Sequence, residues 1–83
     1  MSSFGTVTLN EVRAMLEECA RGHVFRAHGD HFFLVAYNGL TFPSLPIGEH
    51  GKEDPDLQIG VVKKMARQLG ILACAKRVLN LPS

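Results

Sequence analysis

The sequence carries no glycine-rich phosphate loop of either standard pattern, no closely spaced cysteine pair and no nucleophile elbow. Nucleotide-dependent chemistry, a cysteine-bound zinc site and a Ser-His-Asp hydrolase therefore have no motif behind them. A membrane helix needs about 20 mainly apolar residues. The longest stretch without Asp, Glu, Lys or Arg, residues 31–48, is broken by Asn38-Gly39, Pro43 and Pro46. The opening residues Met1-Ser2-Ser3-Phe4-Gly5-Thr6 contain neither the basic nor the apolar region of a signal peptide. The expected location is cytoplasmic, with no membrane partner. The two cysteines, Cys19 and Cys74, fall far apart in apolar-patterned segments. They are expected to be reduced and packed as small hydrophobes.

At 83 residues the chain is expected to form one domain. A chain of this size buries only about 60–65% of the surface it exposes when unfolded, so nearly every large apolar side chain must serve one core. That leaves little room for a cofactor cleft, and no cofactor is expected. Composition is ordinary for a globular protein, 46% hydrophobic and 20% charged. The net charge of +1 is unevenly spread. No acid follows Asp56, whereas Lys63, Lys64, Arg67, Lys76 and Arg77 all do. Such asymmetry can mark a surface for nucleic acid or an acidic partner.

Thr8 and Glu11 have the spacing of a capping box. Leu9, Val12, Leu16 and Cys19 then repeat at helical spacing, predicting an amphipathic helix that ends near Gly22. From His23 the pattern becomes that of strands, with Phe, Val and Tyr enriched. Asn38-Gly39 is a two-residue hairpin signal, and Gly29-Asp30 reads as a second tight turn with glycine first. Three antiparallel strands follow, about 23–28, 31–37 and 40–45. A two-residue turn at Gly29-Asp30 would pair His28 with His31. It would place Arg26, His28, Phe33, Val35 and Tyr37 on an open face and Phe32, Leu34 and Ala36 against the helices. Leu40 and Phe42 would extend the open apolar area, so either a bulge changes the register there or a partner covers it. Residues 43–56 read as a loop. A basic amphipathic helix follows, starting at or near Gly60 and ending at Gly70-Ile71, a C-terminal capping pattern. A last short helix spans about 72–80. The fold class is therefore α+β: a three-stranded antiparallel sheet with helices on one face, plus a short C-terminal helix.

The tetrapeptide His28-Gly29-Asp30-His31 carries the most chemistry. Near neutral pH an imidazole can take or give a proton. Two of them on one face with Arg26 suit a ribonuclease-like transfer, in which a base activates a ribose 2′-hydroxyl and an acid protonates the leaving oxygen. The plainer alternative is two surface imidazoles beside a turn. A metal site built from His23, His28, His31 and His50 has no supporting motif, and no metal is expected. Lys63, Lys64 and Arg67 could meet phosphates or simply form a solvated helix face.

The order helix, three strands, helix, with Gly29-Asp30-His31 in the first tight turn, resembles the HicA (YcfA-like) mRNA interferase toxins. His50-Gly51-Lys52-Glu53 after Pro43 and Pro46, and Gly60 followed by Lys63-Lys64-Met65-Ala66-Arg67-Gln68-Leu69-Gly70-Ile71, extend the similarity over about residues 8–71. Asp30 stands where the family usually has Ser. The resemblance implies a double-stranded-RNA-binding-domain-like fold, with residues 72–83 appended. It also implies a toxin-antitoxin setting, in which an endonuclease acts on mRNA with His31 as the acid/base and a HicB-like antitoxin is its partner. On that reading His28 is a second proton-transfer group, Arg26, Lys52, Lys63, Lys64 and Arg67 hold RNA, and Phe33, Tyr37 and Phe42 face the protein partner. A non-catalytic RNA-binding module of the same fold and a small protein-interaction module are the alternatives.

Overall fold

The computed structural model of the protein describes residues 5–46 and 54–81. In chain order its elements are β1 (Thr6–Thr8), α1 (Leu9–Cys19), β2 (Val24–His28), β3 (Phe32–Tyr37), β4 (Leu40–Pro46), β5 (Asp56–Gln58), α2 (Ile59–Gln68) and α3 (Leu72–Leu79). The architecture is α+β. β2, β3 and β4 form an antiparallel three-stranded sheet, and β1 pairs with β5 in a separate two-stranded one. Each strand of that small sheet is three residues long, too short to show a period in sequence, and residues 56–58 fall partly in what reads as loop.

The two hairpins of the main sheet have different turns. Asn38 (φ 55) and Gly39 (φ 82) both occupy the left-handed region, as the two-residue hairpin signal requires. At the other turn the expectation is corrected. His28 pairs with Phe32, not His31, so Gly29-Asp30-His31 is a three-residue turn opened by Gly29 at φ 77. One extra turn residue slips β3 by one position and exchanges its faces. Val35 is fully buried and Phe33 packs against the core, while Phe32 is 41% exposed. β2 keeps its predicted orientation: Phe25 packs inward and Arg26 and His28 are exposed.

A bulge completes the rearrangement. Phe33 pairs with Leu45 but Val35 with Phe42, so β4 spends one more residue than β3 over this interval. Phe42 and Leu45 are three apart and would face opposite sides of a regular strand. The bulge turns both inward, where Leu45 is fully buried and Phe42 is 8% exposed. Pro43 lies in this interval, and a bulge tolerates a residue that cannot donate to the ladder.

The helices cover that inner face. Leu9, Val12, Met15 and Leu16 are the buried stripe of α1, and Val62, Met65 and Ala66 that of α2. The Arg13 guanidinium sits 5.1 Å from the Phe25 ring centroid, which brings α1 to β2, and within the sheet Phe25 lies 4.8 Å from Phe33. α2 packs on β4, and α3 packs against α1 and α2. Met15, Leu16, Leu45, Met65 and Leu69 are the largest fully buried side chains, each contributing about 1.5–3 kcal/mol by leaving water. α2 ends as its sequence predicts: Gly70 is left-handed at φ 77 and the Ile71 amide donates to the Ala66 carbonyl at 2.8 Å.

The start of α1 is fastened from two directions. Thr8 Oγ1 accepts from the Glu11 amide, and Glu11 Oε1 accepts from the Thr8 amide at 2.8 Å, forming the expected capping box. From the distant segment before β5, the Pro55 carbonyl accepts from the Leu9 amide at 2.9 Å and Asp54 Oδ1 accepts from the Asn10 amide at 2.7 Å. The orphan amides of the first turn are thus used to hold the β1–β5 segment, with a carboxylate placed where the helix dipole favours it.

The cysteines are not reduced. Cys19, the last residue of α1, is bonded to Cys74 of α3, with Cα atoms 5.8 Å apart and a sequence separation of 55. Closing a loop of that length removes unfolded-state entropy worth about 4 kcal/mol. Helical spacing places both residues correctly on inward faces and carries no information on whether those faces meet. Among the described residues no helix is long and apolar enough to cross a membrane.

Candidate nucleic-acid interface

The sheet face turned away from the helices is built by β2 residues Val24, Arg26 and His28 and β3 residues Phe32, Leu34 and Ala36, paired as Val24 with Ala36, Arg26 with Leu34 and His28 with Phe32. Phe32 pairs on its other side with Pro46. His28, Phe32 and Pro46 therefore form a row across all three strands at the end of the sheet where the Gly29-Asp30-His31 turn lies. Neighbours in such a row have β-carbons about 5 Å apart. Gly29 makes the turn possible, because its φ of 77 is a conformation that side-chain-bearing residues rarely adopt. His31 is exposed at the end of the turn, directly before Phe32.

The two histidines are thus brought to one end of one sheet, though not as a cross-strand pair. His28 stands on the ladder and His31 on the turn. Arg26 is exposed on the same face as His28, one pleat away. His23 is elsewhere: its Nδ1 lies 2.9 Å from the Ala20 carbonyl at the end of α1, a hydrogen bond in which the ring nitrogen donates. Among the described residues no group of three or more His, Cys, Asp or Glu is placed to hold a metal ion. His50 and Lys52 lie outside the described residues.

The apolar part of the expected partner surface moves. Phe33, Tyr37 and Phe42 belong to the helix-facing side, where Phe42 is buried and the other two pack against the core. Their place outside is taken by Phe32 and by Val24, which is 49% exposed, while Leu40, paired with Tyr37, is 40% exposed at the edge of the helix-facing side. Every residue from Phe32 to Tyr37 is apolar or aromatic, so alternation within β3 could not reveal its outer face. Only the polar alternation of β2 could, combined with the correct turn length.

The cations divide between two surfaces. Lys64 and Arg67 are exposed on α2 and Lys63 is partly buried there, on the helical layer, whereas Arg26 projects from the opposite side of the sheet. The start of α2 approaches the row described above: Pro46, Asp56, Leu57, Gln58 and Val61 line a cleft of about 340 Å³ between the end of β4 and the β5–α2 junction. The arrangement offers proton-transfer groups, an exposed aromatic ring and a cation at one end of an open sheet. Comparison with known proteins returned no matching family model, no similar curated protein and no similar solved structure.

Proposed function

We propose that the protein is an RNA-cleaving endoribonuclease of the mRNA interferase toxin type, working without a metal ion and acting at the turn end of the open sheet face. The observation that carries this reading is the Gly29-Asp30-His31 turn, which sets an exposed imidazole beside a face bearing His28, Arg26 and the exposed ring of Phe32. Single-stranded RNA suits such a face, since unstacked bases rest on aromatic rings while cations meet phosphates. The element order α1-β2-β3-β4-α2, with the helices on one side, is compatible with the double-stranded-RNA-binding-domain-like fold of the HicA resemblance.

In the proposed reaction one imidazole removes the proton of a ribose 2′-hydroxyl, whose oxygen bonds to the adjacent phosphorus. The bond to the 5′-oxygen breaks, and that oxygen takes a proton from the second acid. His31 is the principal acid/base, His28 the second group, and Arg26 holds phosphate charge. Lys52, Lys63, Lys64 and Arg67 are the further RNA contacts of this reading. The products are a 2′,3′-cyclic phosphate and a 5′-hydroxyl.

The exposed Val24 and Phe32 on the open face favour a protein cover over it, the place for a HicB-like antitoxin. The test is incubation of an unstructured RNA with the parent and with His31→Ala in chelator, with end-group analysis of the products. Cleavage to cyclic phosphate ends by the parent alone supports the reading. Equal cleavage by both removes His31 from the chemistry. Salt-sensitive binding without scission leaves the RNA-binding module, and a defined oligomer indifferent to RNA leaves the protein-interaction module.

A further inference from the structure

α3 is held in place by its packing against α1 and α2. It has eight residues, no side-chain cap and no acidic residue in its first turn, and Ala75 is its only buried member. An isolated helix is marginal even at about 12–15 residues, so α3 depends on what it touches. Leu72, Val78 and Leu79 are only partly buried against the core, with Leu81 buried just beyond the helix. Its end places Asn80 at φ 56, a left-handed conformation that costs asparagine more than glycine. The covalent tie to α1 through Cys19 and Cys74 adds to this packing.

The surroundings of that tie make it cleavable. Both cysteines are partly exposed. Arg77, one turn further along α3, donates from Nη2 to Cys74 Sγ at 3.6 Å. A guanidinium there stabilises the negative charge that develops on a departing sulfur, so Cys74 is the leaving group and Cys19 the sulfur that is attacked.

We infer that the Cys19–Cys74 bond is a redox-controlled latch that docks α3 when oxidised and frees it when reduced by a dithiol. One reductant thiolate attacks Cys19 Sγ to form a mixed disulfide, and Cys74 leaves as a thiolate. The second reductant thiolate attacks its own mixed-disulfide sulfur, closes a cyclic disulfide and releases Cys19. Two electrons and two protons pass from the dithiol to the cysteine pair. Freeing α3 uncovers Ala75 and the faces of α1 and α2 against which α3 packs, while α2 keeps its packing on β4. This latch is independent of the RNA reading, and its test uses no RNA.

The intact protein is equilibrated in dithiothreitol buffers of graded reduced-to-oxidised ratio, bond opening is followed by thiol alkylation and mass, and each sample receives a brief trypsin pulse. Cleavage after Lys76 in α3 is compared with cleavage after Lys64 and Arg67 in α2. Reduction is expected to accelerate the α3 cut at least tenfold and the α2 cuts less than twofold. The double variant Cys19→Ser with Cys74→Ser should behave as the reduced protein at every ratio. In a time course after transfer to reduced dithiothreitol, Arg77→Gln should slow opening several-fold while leaving the oxidised protein equally resistant at Lys76; an unchanged opening rate overturns the assignment of Cys74 as leaving group. An unchanged Lys76 rate in protein proven to be reduced overturns the latch. So does equal acceleration at α2 and α3, which would mean global unfolding, and so does full alkylation of both cysteines in the oxidised buffer.

Discussion

His28 faces Phe32 across the β2–β3 ladder, and this one pairing decides which side of β3 is core. The neighbouring Phe25–Val35 pair then points inward, with Val35 fully buried. Val35→Ala is expected to cost about 2–3 kcal/mol through reduced burial and residual cavity. Phe32→Thr, which keeps a strand-favouring residue at an exposed site, should cost under about 1 kcal/mol. Urea denaturation midpoints compare the two directly. The reverse order would restore a His28–His31 pair.

Two glycines with equally open surroundings should respond in opposite directions. A β-carbon would meet nothing within 4 Å at either Gly29 or Gly60, but only Gly29 has positive φ. Gly29→Ala should destabilise by about 1–2 kcal/mol through backbone strain alone. Gly60→Ala, in the first turn of α2, should stabilise by about 0.5–1 kcal/mol. Thermal unfolding of both variants reads the two signs.

At the start of α1, Thr8→Ala should cost about 1 kcal/mol by removing the cap. Asp54→Ala should cost about 1–2 kcal/mol by removing a charge-assisted bond near the positive end of the helix dipole. A double-mutant cycle should find Thr8 and Glu11 strongly non-additive, because their two hydrogen bonds form one reciprocal unit. Thr8 and Asp54 act on different amides and should add more nearly.

If RNA reaches the helical layer as well as the sheet, the exposed cations of α2 contribute to its salt dependence. Replacing Lys64 and Arg67 with Ala should lower affinity in dilute salt and flatten the dependence of log affinity on log salt by about 2, near 1 for each phosphate left without its cation. Fluorescence anisotropy over a salt series measures the slope. An unchanged slope would confine RNA to the sheet face.

Local signals in the sequence are reliable where one residue dictates one conformation. The Thr8–Glu11 box, the Asn38-Gly39 turn and the Gly70-Ile71 end of α2 all occur as their chemistry requires. The outward placement of Arg26 and His28 is legible because β2 alternates in polarity. The facing of β3 is not, since both its sides are apolar, and a glycine with positive φ opens a three-residue turn as readily as a two-residue one. The pairing of Cys19 with Cys74 and of β1 with β5 depends on segments about 50 residues apart meeting in space, which no local spacing records. For the candidate site, the sequence supplies the histidines and Arg26, while the exposed Phe32 emerges only from the register.

The fastening of α1 to the segment before β5 also orders events in time. The β2-β3-β4 meander closes through turns of three and two residues, whereas the Asn10–Asp54 bond joins positions 44 apart. Short closures incur little chain entropy and form early, and distant ones follow. The β1–β5 clasp should be absent from the folding transition state. In chevron kinetics, Asp54→Ala should then leave the refolding rate nearly untouched and express its whole destabilisation as faster unfolding, making this clasp a determinant of native-state lifetime.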